Sequence, residues 1–181
     1  MKNITLIWGL VLVLIMISCD TQKSLPSNYP CQDCKSTSSV FSYMSQYVAS
    51  NDKQIQQART VAANTARAEL AVQINATFKR VVDDYTNEYI AGMAVDSNQR
   101  MQDVASAIVN QMSRDAFVIC EGTMPTNIAG NTICFACVEL TVKSVLESVV
   151  NKISEDEKIG NYFEEEKFKK IFNEEMSKMK R

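Results

Sequence analysis

The fold is decided by the stretch from Gln54 to Tyr85, which reads QIQQARTVAANTARAELAVQINATFKRVVDDY. Its apolar residues recur at steps of three and four, so they share one face of a predicted helix that begins near Ser50–Asp52 and fades near Gly92. Small residues let a helix axis approach a sheet or another helix closely, whereas bulky residues can fill a core. The side chains on this face are mostly small in the first half of the helix and bulky in the second half. The residues of the face are Ile55, Ala58, Ala62, Ala66, Leu70, Ile74, Phe78, Val81 and Tyr85.

The segments around this helix predict a small sheet. The aromatic and β-branched stretch VFSYMSQYVA at 40–49 predicts a strand. Two further β-rich runs, Ala116–Cys120 and Thr132–Leu140, flank a segment with turn residues and predict a hairpin with a long loop. We therefore expect an α+β fold. Its small antiparallel sheet, made of the strand at about 40–49 and the hairpin at about 115–140, packs against the long Ala-rich helix.

Helical periodicity returns after the long helix and again after the hairpin. It predicts helices at about 97–113 and 142–153, and Ser154 followed by Glu157 resembles a capping box that starts a fresh C-terminal helix. The charged tail carries a narrow apolar stripe at helical steps. The stripe packs on its own domain or forms a docking surface for a partner or a second copy: Phe168, Ile171, Phe172, Met176 and Met179.

The N-terminus predicts a bacterial lipoprotein signal peptide at residues 1–18. After Lys2, the 14 residues from Ile4 to Ile17 are apolar except for Thr5 and Gly9. That run is shorter than the roughly 20 residues of a spanning helix and suits a signal-peptide core. The ending Met16-Ile17-Ser18-Cys19 resembles a lipobox, which implies lipid (diacylglycerol and palmitate) on Cys19. The alternatives are a signal peptide without lipidation and a short anchor with an incidental cysteine.

Composition limits the functions that we expect. The chain has no histidine, which removes the commonest general base and metal ligand. Cleavage of residues 1–18 takes away one basic residue and leaves 18 basic against 21 acidic residues, so the charge gives no footprint for nucleic acid. We expect a tether and lead-in segment at 19–39, a core domain at 40–153 and a charged C-terminal amphipathic helix at 154–181.

Five cysteines remain once lipid occupies Cys19. We expect a structural role in disulfides, because disulfides persist outside the cytoplasm and an odd count leaves one thiol over. A regular strand directs Cys134 and Cys137 to opposite faces, so they should not pair with each other. A bridge between the lead-in segment and the hairpin would close a loop of about 90 residues. The candidates, with connectivity open, are Cys31, Cys34, Cys120, Cys134 and Cys137.

Two sharper interpretations of the cysteines stay open. Cys31 and Cys34 form a CxxC pair that would suit thiol–disulfide exchange. Together with Cys134 and Cys137 they would supply four thiolates for a zinc ribbon. The spacing of about 100 residues and the oxidising compartment disfavour the zinc ribbon. The CxxC pair lies in a polar segment with no helical pattern after it, which disfavours the redox interpretation. We therefore expect no metal, no cofactor and no catalytic residue.

Two segments of the long helix carry a resemblance to a known family. QIQQAR at 54–59 and ARAELAVQI at 66–74, with the later strand CFACVEL at 134–140, resemble the LPP-twenty family of envelope lipoproteins. The domain of that family is also similar to the N-terminal part of the flagellar assembly protein FlgT. The likeness in element order covers roughly residues 40–150. It implies an α+β fold and an envelope location, and it implies no catalytic residues.

These observations lead to one expected function and two alternatives. We expect a lipid-anchored protein of the cell envelope, at the outer membrane, with a binding or assembly role toward a protein partner or a second copy and no enzymatic activity. The first alternative is an extracytoplasmic thiol–disulfide protein that uses a CxxC pair. The second is a module that binds a glycan or a lipid in a pocket between helix and sheet.

Overall fold

The computed structural model describes residues 28–90 and 95–178. The predicted signal peptide (1–18), the predicted lipidation site Cys19 and the stripe residue Met179 lie outside the described residues. Two short 3₁₀ turns, Asp52–Gln54 and Gly160–Tyr162, accompany the helices and strands. The described elements are, in chain order, β1 (Val40–Ala49), α1 (Ile55–Tyr89), α2 (Val95–Arg114), β2 (Phe117–Pro125), β3 (Thr132–Thr141), α3 (Val142–Ser154) and α4 (Glu165–Lys178).

The three described strands form an antiparallel sheet in the order β1-β3-β2, with β3 in the centre. β1 pairs with β3 along its whole length, from Val40 opposite Thr141 to Ala49 opposite Thr132. β1 has the predicted bounds, and β2 and β3 form the predicted hairpin, although β2 continues to Pro125 and shortens the loop. The predicted α+β class, with its long helix and C-terminal helix, is confirmed.

One face of the sheet is covered by α1, and residue size determines how closely the two approach. The small half of the helix lies over β3, where Ala58 packs with Cys134, and Ala62 and Ala63 pack with Ala136. All five residues are buried. Alternation along a strand places the even-numbered residues of β3 on this face.

The main core lies where the bulky half of α1 meets the other helices. The ring centroids of Phe78 and Phe172 are 5.2 Å apart, and those of Tyr85 and Phe168 are 5.5 Å apart. The hydroxyl oxygen of Tyr85 accepts the backbone N–H of Glu164 at 2.8 Å, so the polar end of this buried ring has a partner. Such aromatic pairs fix α4 against α1.

The C-terminal stripe is therefore part of the core and not a free docking surface, which corrects the interpretation that it binds a partner. Its four described residues are 4% exposed or less. Their burial follows from the aromatic side chains that α1 presents to α4. The buried residues are Phe168, Ile171, Phe172 and Met176.

The capping-box prediction at Ser154 is wrong, because α3 ends there and the next helix begins at Glu165. The carboxylate of Asp156 accepts the N–H of Lys158 at 3.0 Å and binds Arg100 at 2.8 Å. These contacts hold the chain in a turn after Ser154. A Cβ at Gly160 would overlap the carbonyl oxygen of Ser154, so the turn also depends on glycine at this position.

One buried carboxylate joins α4 to α1. Glu175 is 6% exposed, forms an ion pair with Arg80 and lies 2.9 Å from the amine of Lys178. Burial by itself raises the pKa of Glu175, but the hydrogen bonds from Lys178 and Arg80 outweigh it and hold the pKa below its ordinary value. The carboxylate is therefore charged and paired at neutral pH.

Candidate functional site

The second face of the sheet is covered by the lead-in segment, residues 28–39 in the described chain. The ring of Tyr29 stacks on Phe135 with centroids 6.0 Å apart. Pro30 lies against Gly122 on β2, where any Cβ would overlap the proline ring. Phe135 is fully buried although α1 lies on the opposite side of the sheet. The lead-in segment is thus a layer of the fold and not a loose tether.

Two disulfides fasten this layer to the sheet. The first bridge joins Cys31 to Cys120, and the second bridge joins Cys34 to Cys137. Their Cα–Cα distances are 5.7 and 6.0 Å, and they span 89 and 103 residues. The predicted tie between the lead-in segment and the hairpin is confirmed. Cys120 and Cys137 are opposite each other on neighbouring strands, so the two bridges stand side by side.

A β-bulge at Ile119 makes the first bridge feasible. Val118 pairs with Val138, but Cys120 pairs with Cys137, the neighbour of Val138 in β3. β2 therefore contains one extra residue, Ile119, between these two pairs. If β2 instead stayed in regular register from Val118, Ile119 would lie opposite Cys137, and Cys120 would lie opposite Ala136 and point toward α1. The bulge turns the Cys120 side chain to the lead-in face, where Cys31 can reach it.

Hydrogen bonds from one serine hold the lead-in segment to the edge of β1. The hydroxyl oxygen of Ser36 accepts the backbone N–H of Ser42 at 2.9 Å and donates to the Ser42 carbonyl at 3.0 Å. The side-chain amide of Gln73 on α1 donates to the same hydroxyl at 2.9 Å. Ser36 therefore joins the lead-in segment, the sheet and α1 at one point.

Cys134 is the cysteine without a disulfide partner in the described chain, and it is fully buried on the α1 face of β3. Burial raises the pKa of the Cys134 thiol, which keeps it protonated and unreactive at neutral pH. Cys137 points to the other face, as strand alternation predicts. The four thiolates of the zinc-ribbon interpretation are therefore not brought together, and Cys31 and Cys34 are joined to different partners.

A groove of about 500 Å³ lies between α1 and α2, on the surface away from the disulfides. Arg67 on its floor donates from Nε to the carbonyl oxygen of Ala116 at 3.1 Å and from a terminal nitrogen to Asn64 at 3.3 Å. The Asn75 amide donates to the Asn110 side chain at 3.0 Å across the groove. The lining residues are Asn64, Arg67, Ala68, Ala71, Val72, Asn75, Asn110, Ser113 and Arg114.

This groove is not among the features predicted from the sequence, although the sequence carries a signal for it. Asn64, Arg67, Ala71 and Asn75 recur at helical steps beside the buried stripe of α1, and Asn110, Ser113 and Arg114 do the same on α2. Neighbouring polar stripes on two helices are nevertheless common on solvated surfaces. Only the antiparallel contact between α1 and α2 brings these two together.

β2 carries an exposed apolar patch at the start of the strand. Phe117 is 77% exposed and Ile119 is 52% exposed, with Val118 at 36% between them. β2 is an edge strand of the sheet. Its bulge at Ile119 and its terminal Pro125 disfavour further strand pairing, because both interrupt the row of backbone donors.

Comparisons of the chain with protein-family models, with curated proteins and with solved structures gave no match. Within residues 28–90 and 95–178, no helix has the length and apolar content to cross a bilayer. The same residues contain no cluster of three or more potential metal ligands. The resemblance to the LPP-twenty family stays a prediction from the residues quoted above.

Proposed function

We propose that this protein is a lipid-anchored lipoprotein of the bacterial cell envelope with a binding or assembly role and no catalytic activity. The observation that carries the proposal is the pair of bridges that fasten the lead-in segment to the sheet. Disulfides persist in oxidising compartments and are rare in the cytoplasm, and an oxidising compartment is where a lipoprotein signal peptide would deliver the chain. The lipobox-like ending at Cys19 and the resemblance to the LPP-twenty family support an envelope location, and we place the anchor in the outer membrane.

The arrangement of the cysteines supports binding over thiol–disulfide exchange. An exchange enzyme needs one accessible thiolate of low pKa beside a resolving cysteine. Here Cys31 and Cys34 are joined to separate strands, and the thiol of Cys134 is buried with a raised pKa. Buried side chains also fill the space between α1 and the sheet, which disfavours the apolar pocket of a lipid-binding module.

Alkylation counting tests the lipid anchor and the bridges in one measurement. The mature protein, denatured without reductant, should take up one alkyl group, at Cys134, and five after reduction, because lipid blocks Cys19. A Cys19→Ser form should give the same two counts but should lose incorporation of labelled palmitate and leave the membrane fraction. Two alkyl groups before reduction, or palmitate retained in the Cys19→Ser form, would contradict the proposal.

A pull-down tests the binding role. Protein captured from cross-linked cells should retain an envelope partner that the soluble Cys19→Ser form loses, because the anchor restricts encounters to one membrane. Turnover of a model disulfide substrate above the background rate would instead support the exchange enzyme.

A further inference from the structure

We propose that the groove between α1 and α2 binds a small hydroxylated anion, namely a saccharide that carries a carboxylate or a phosphate. This site shares no residue with the two bridges. The proposal extends beyond the proposed function, because a lipoprotein with a partner role needs no small ligand.

The charge of the groove favours an anion. Arg67 and Arg114 both line it, and none of the described lining residues is acidic. Neither arginine forms a salt bridge within the described part of the chain. Arg67 is held by Ala116 and Asn64, so its planar guanidinium is oriented before a ligand arrives. A pre-oriented guanidinium is suited to a carboxylate or a phosphate.

Two unpartnered polar atoms favour a ligand that also carries hydroxyl groups. The hydroxyl of Ser113, a residue only 2% exposed, has no hydrogen-bond partner among the described residues. The buried side-chain oxygen of Asn75 also lacks a described partner, although its amide nitrogen is bonded to Asn110. Buried polar atoms are rarely left without partners, because removing them from water costs free energy. A sugar hydroxyl can donate to the Asn75 oxygen and can either donate to or accept from Ser113.

The shape and lining of the groove set the class of ligand. Its volume of about 500 Å³ lies within the usual range for small-ligand sites. No aromatic ring is among the described lining residues, so the groove has no platform on which a neutral sugar could stack. We therefore expect the anionic group to provide most of the affinity, and the hydroxyl contacts to provide selectivity over simple anions.

Calorimetric titration of the oxidised full-length protein in detergent tests the proposal. The probes are glucuronate, glucose 6-phosphate, glucose and inorganic phosphate. Both anionic sugars should bind, and glucose and inorganic phosphate should each bind at least about tenfold more weakly. Heat that appears with inorganic phosphate as strongly as with the sugars would overturn the saccharide assignment. The absence of binding by both anionic sugars up to about 10 mM would overturn the site itself.

Two variants and a matched control locate the binding. Arg114→Gln should weaken glucuronate binding by about tenfold, and Ser113→Ala should weaken it while leaving inorganic phosphate unchanged. Lys143→Gln, which removes the same charge from an exposed position on α3, should change binding less than twofold. An equal loss in the Lys143→Gln control would overturn the proposal, because it would indicate general electrostatic attraction. Unchanged melting midpoints would show that all variants are folded.

Discussion

Removal of the two bridges, one at a time and together, should reveal that they share a loop. Alone, the first bridge closes 89 residues and the second closes 103. Once either bridge is formed, the other closes a much smaller circuit. That circuit contains the steps from Cys31 to Cys34 and from Cys120 to Cys137, and it is therefore about 20 residues long.

Chain entropy converts these loops into expected losses of unfolding free energy. A loop of about 90–100 residues corresponds to roughly 4.7 kcal/mol, and a loop of about 20 residues to roughly 3.3 kcal/mol. Replacing either cysteine pair by alanine therefore costs about 3.3 kcal/mol, because the remaining bridge still closes the long loop. Replacing both pairs costs about 8 kcal/mol, which exceeds the two single losses together by more than 1 kcal/mol.

Urea unfolding followed by far-UV circular dichroism without reductant measures these losses. All forms should carry Cys134→Ala, so that no free thiol can exchange with the remaining bridge. Mass spectrometry of unreduced peptides confirms which bridge is present in each form. The losses in the two single-bridge forms should agree to within a few tenths of a kcal/mol, because both lose the same short circuit.

The pattern of losses decides whether the shared-loop reasoning is right. A double loss that equals the sum of the single losses would refute it, because independent loops give additive effects. Single losses near 4.7 kcal/mol would refute it as well. If the form without bridges does not fold in buffer, the comparison is made in an excluded osmolyte, which raises the stability of all forms.

Four further perturbations test other parts of the fold. Deletion of Ile119 should keep the first bridge in unreduced peptide maps, because Cys120 then lies opposite Cys137 in a regular strand; loss of that bridge in the deletion form would contradict the bulge. Gly122→Ala should cost about 1–3 kcal/mol through overlap with Pro30, and Pro30→Gly should restore most of that loss; an unchanged urea midpoint would contradict the contact. Phe172→Ala should cost about 3–5 kcal/mol in urea unfolding, and a loss below about 1 kcal/mol would place α4 outside the core. The folded-state pKa of Glu175 lies below its ordinary value of 4.5, so its stabilisation is complete above that value and is lost as pH falls through the folded pKa; Glu175→Gln should therefore flatten the decline in melting temperature below about pH 5, and an unaltered decline would contradict the pairing.

The periodicity of apolar residues along the chain was sufficient to predict the helices and strands that bury one face in the core. The size gradient along α1 predicts which half approaches a neighbouring element closely and which half fills the core, because close approach requires small side chains. Alternation on β3 places Cys134 and Cys137 on opposite faces, and this excludes a bridge between them. Both inferences depend only on neighbours within one element, which is why they hold.

Features that depend on contacts between distant segments could not be predicted in this way. The face of Cys120 depends on a bulge, and nothing in the run Phe117–Cys120 distinguishes a bulged strand from a regular one. The burial of the α4 stripe depends on the aromatic rings that α1 presents. The end of α3 at Ser154 depends on the pairing of Asp156 with Arg100, 56 residues away in the chain.

If Cys19 carries lipid, the bridges also limit the distance between the domain and the membrane. Cys31 lies twelve positions after Cys19 in the chain, so covalent geometry limits the distance between their Cα atoms to about 40 Å whatever the conformation between them. Because Cys31 is bonded to β2, this limit applies to the sheet itself and not only to a flexible end. A partner or saccharide that binds the domain must then come close to the membrane, within the tether length plus the diameter of the domain. The tether and the bridges together therefore favour a ligand in the same envelope layer over one that diffuses freely.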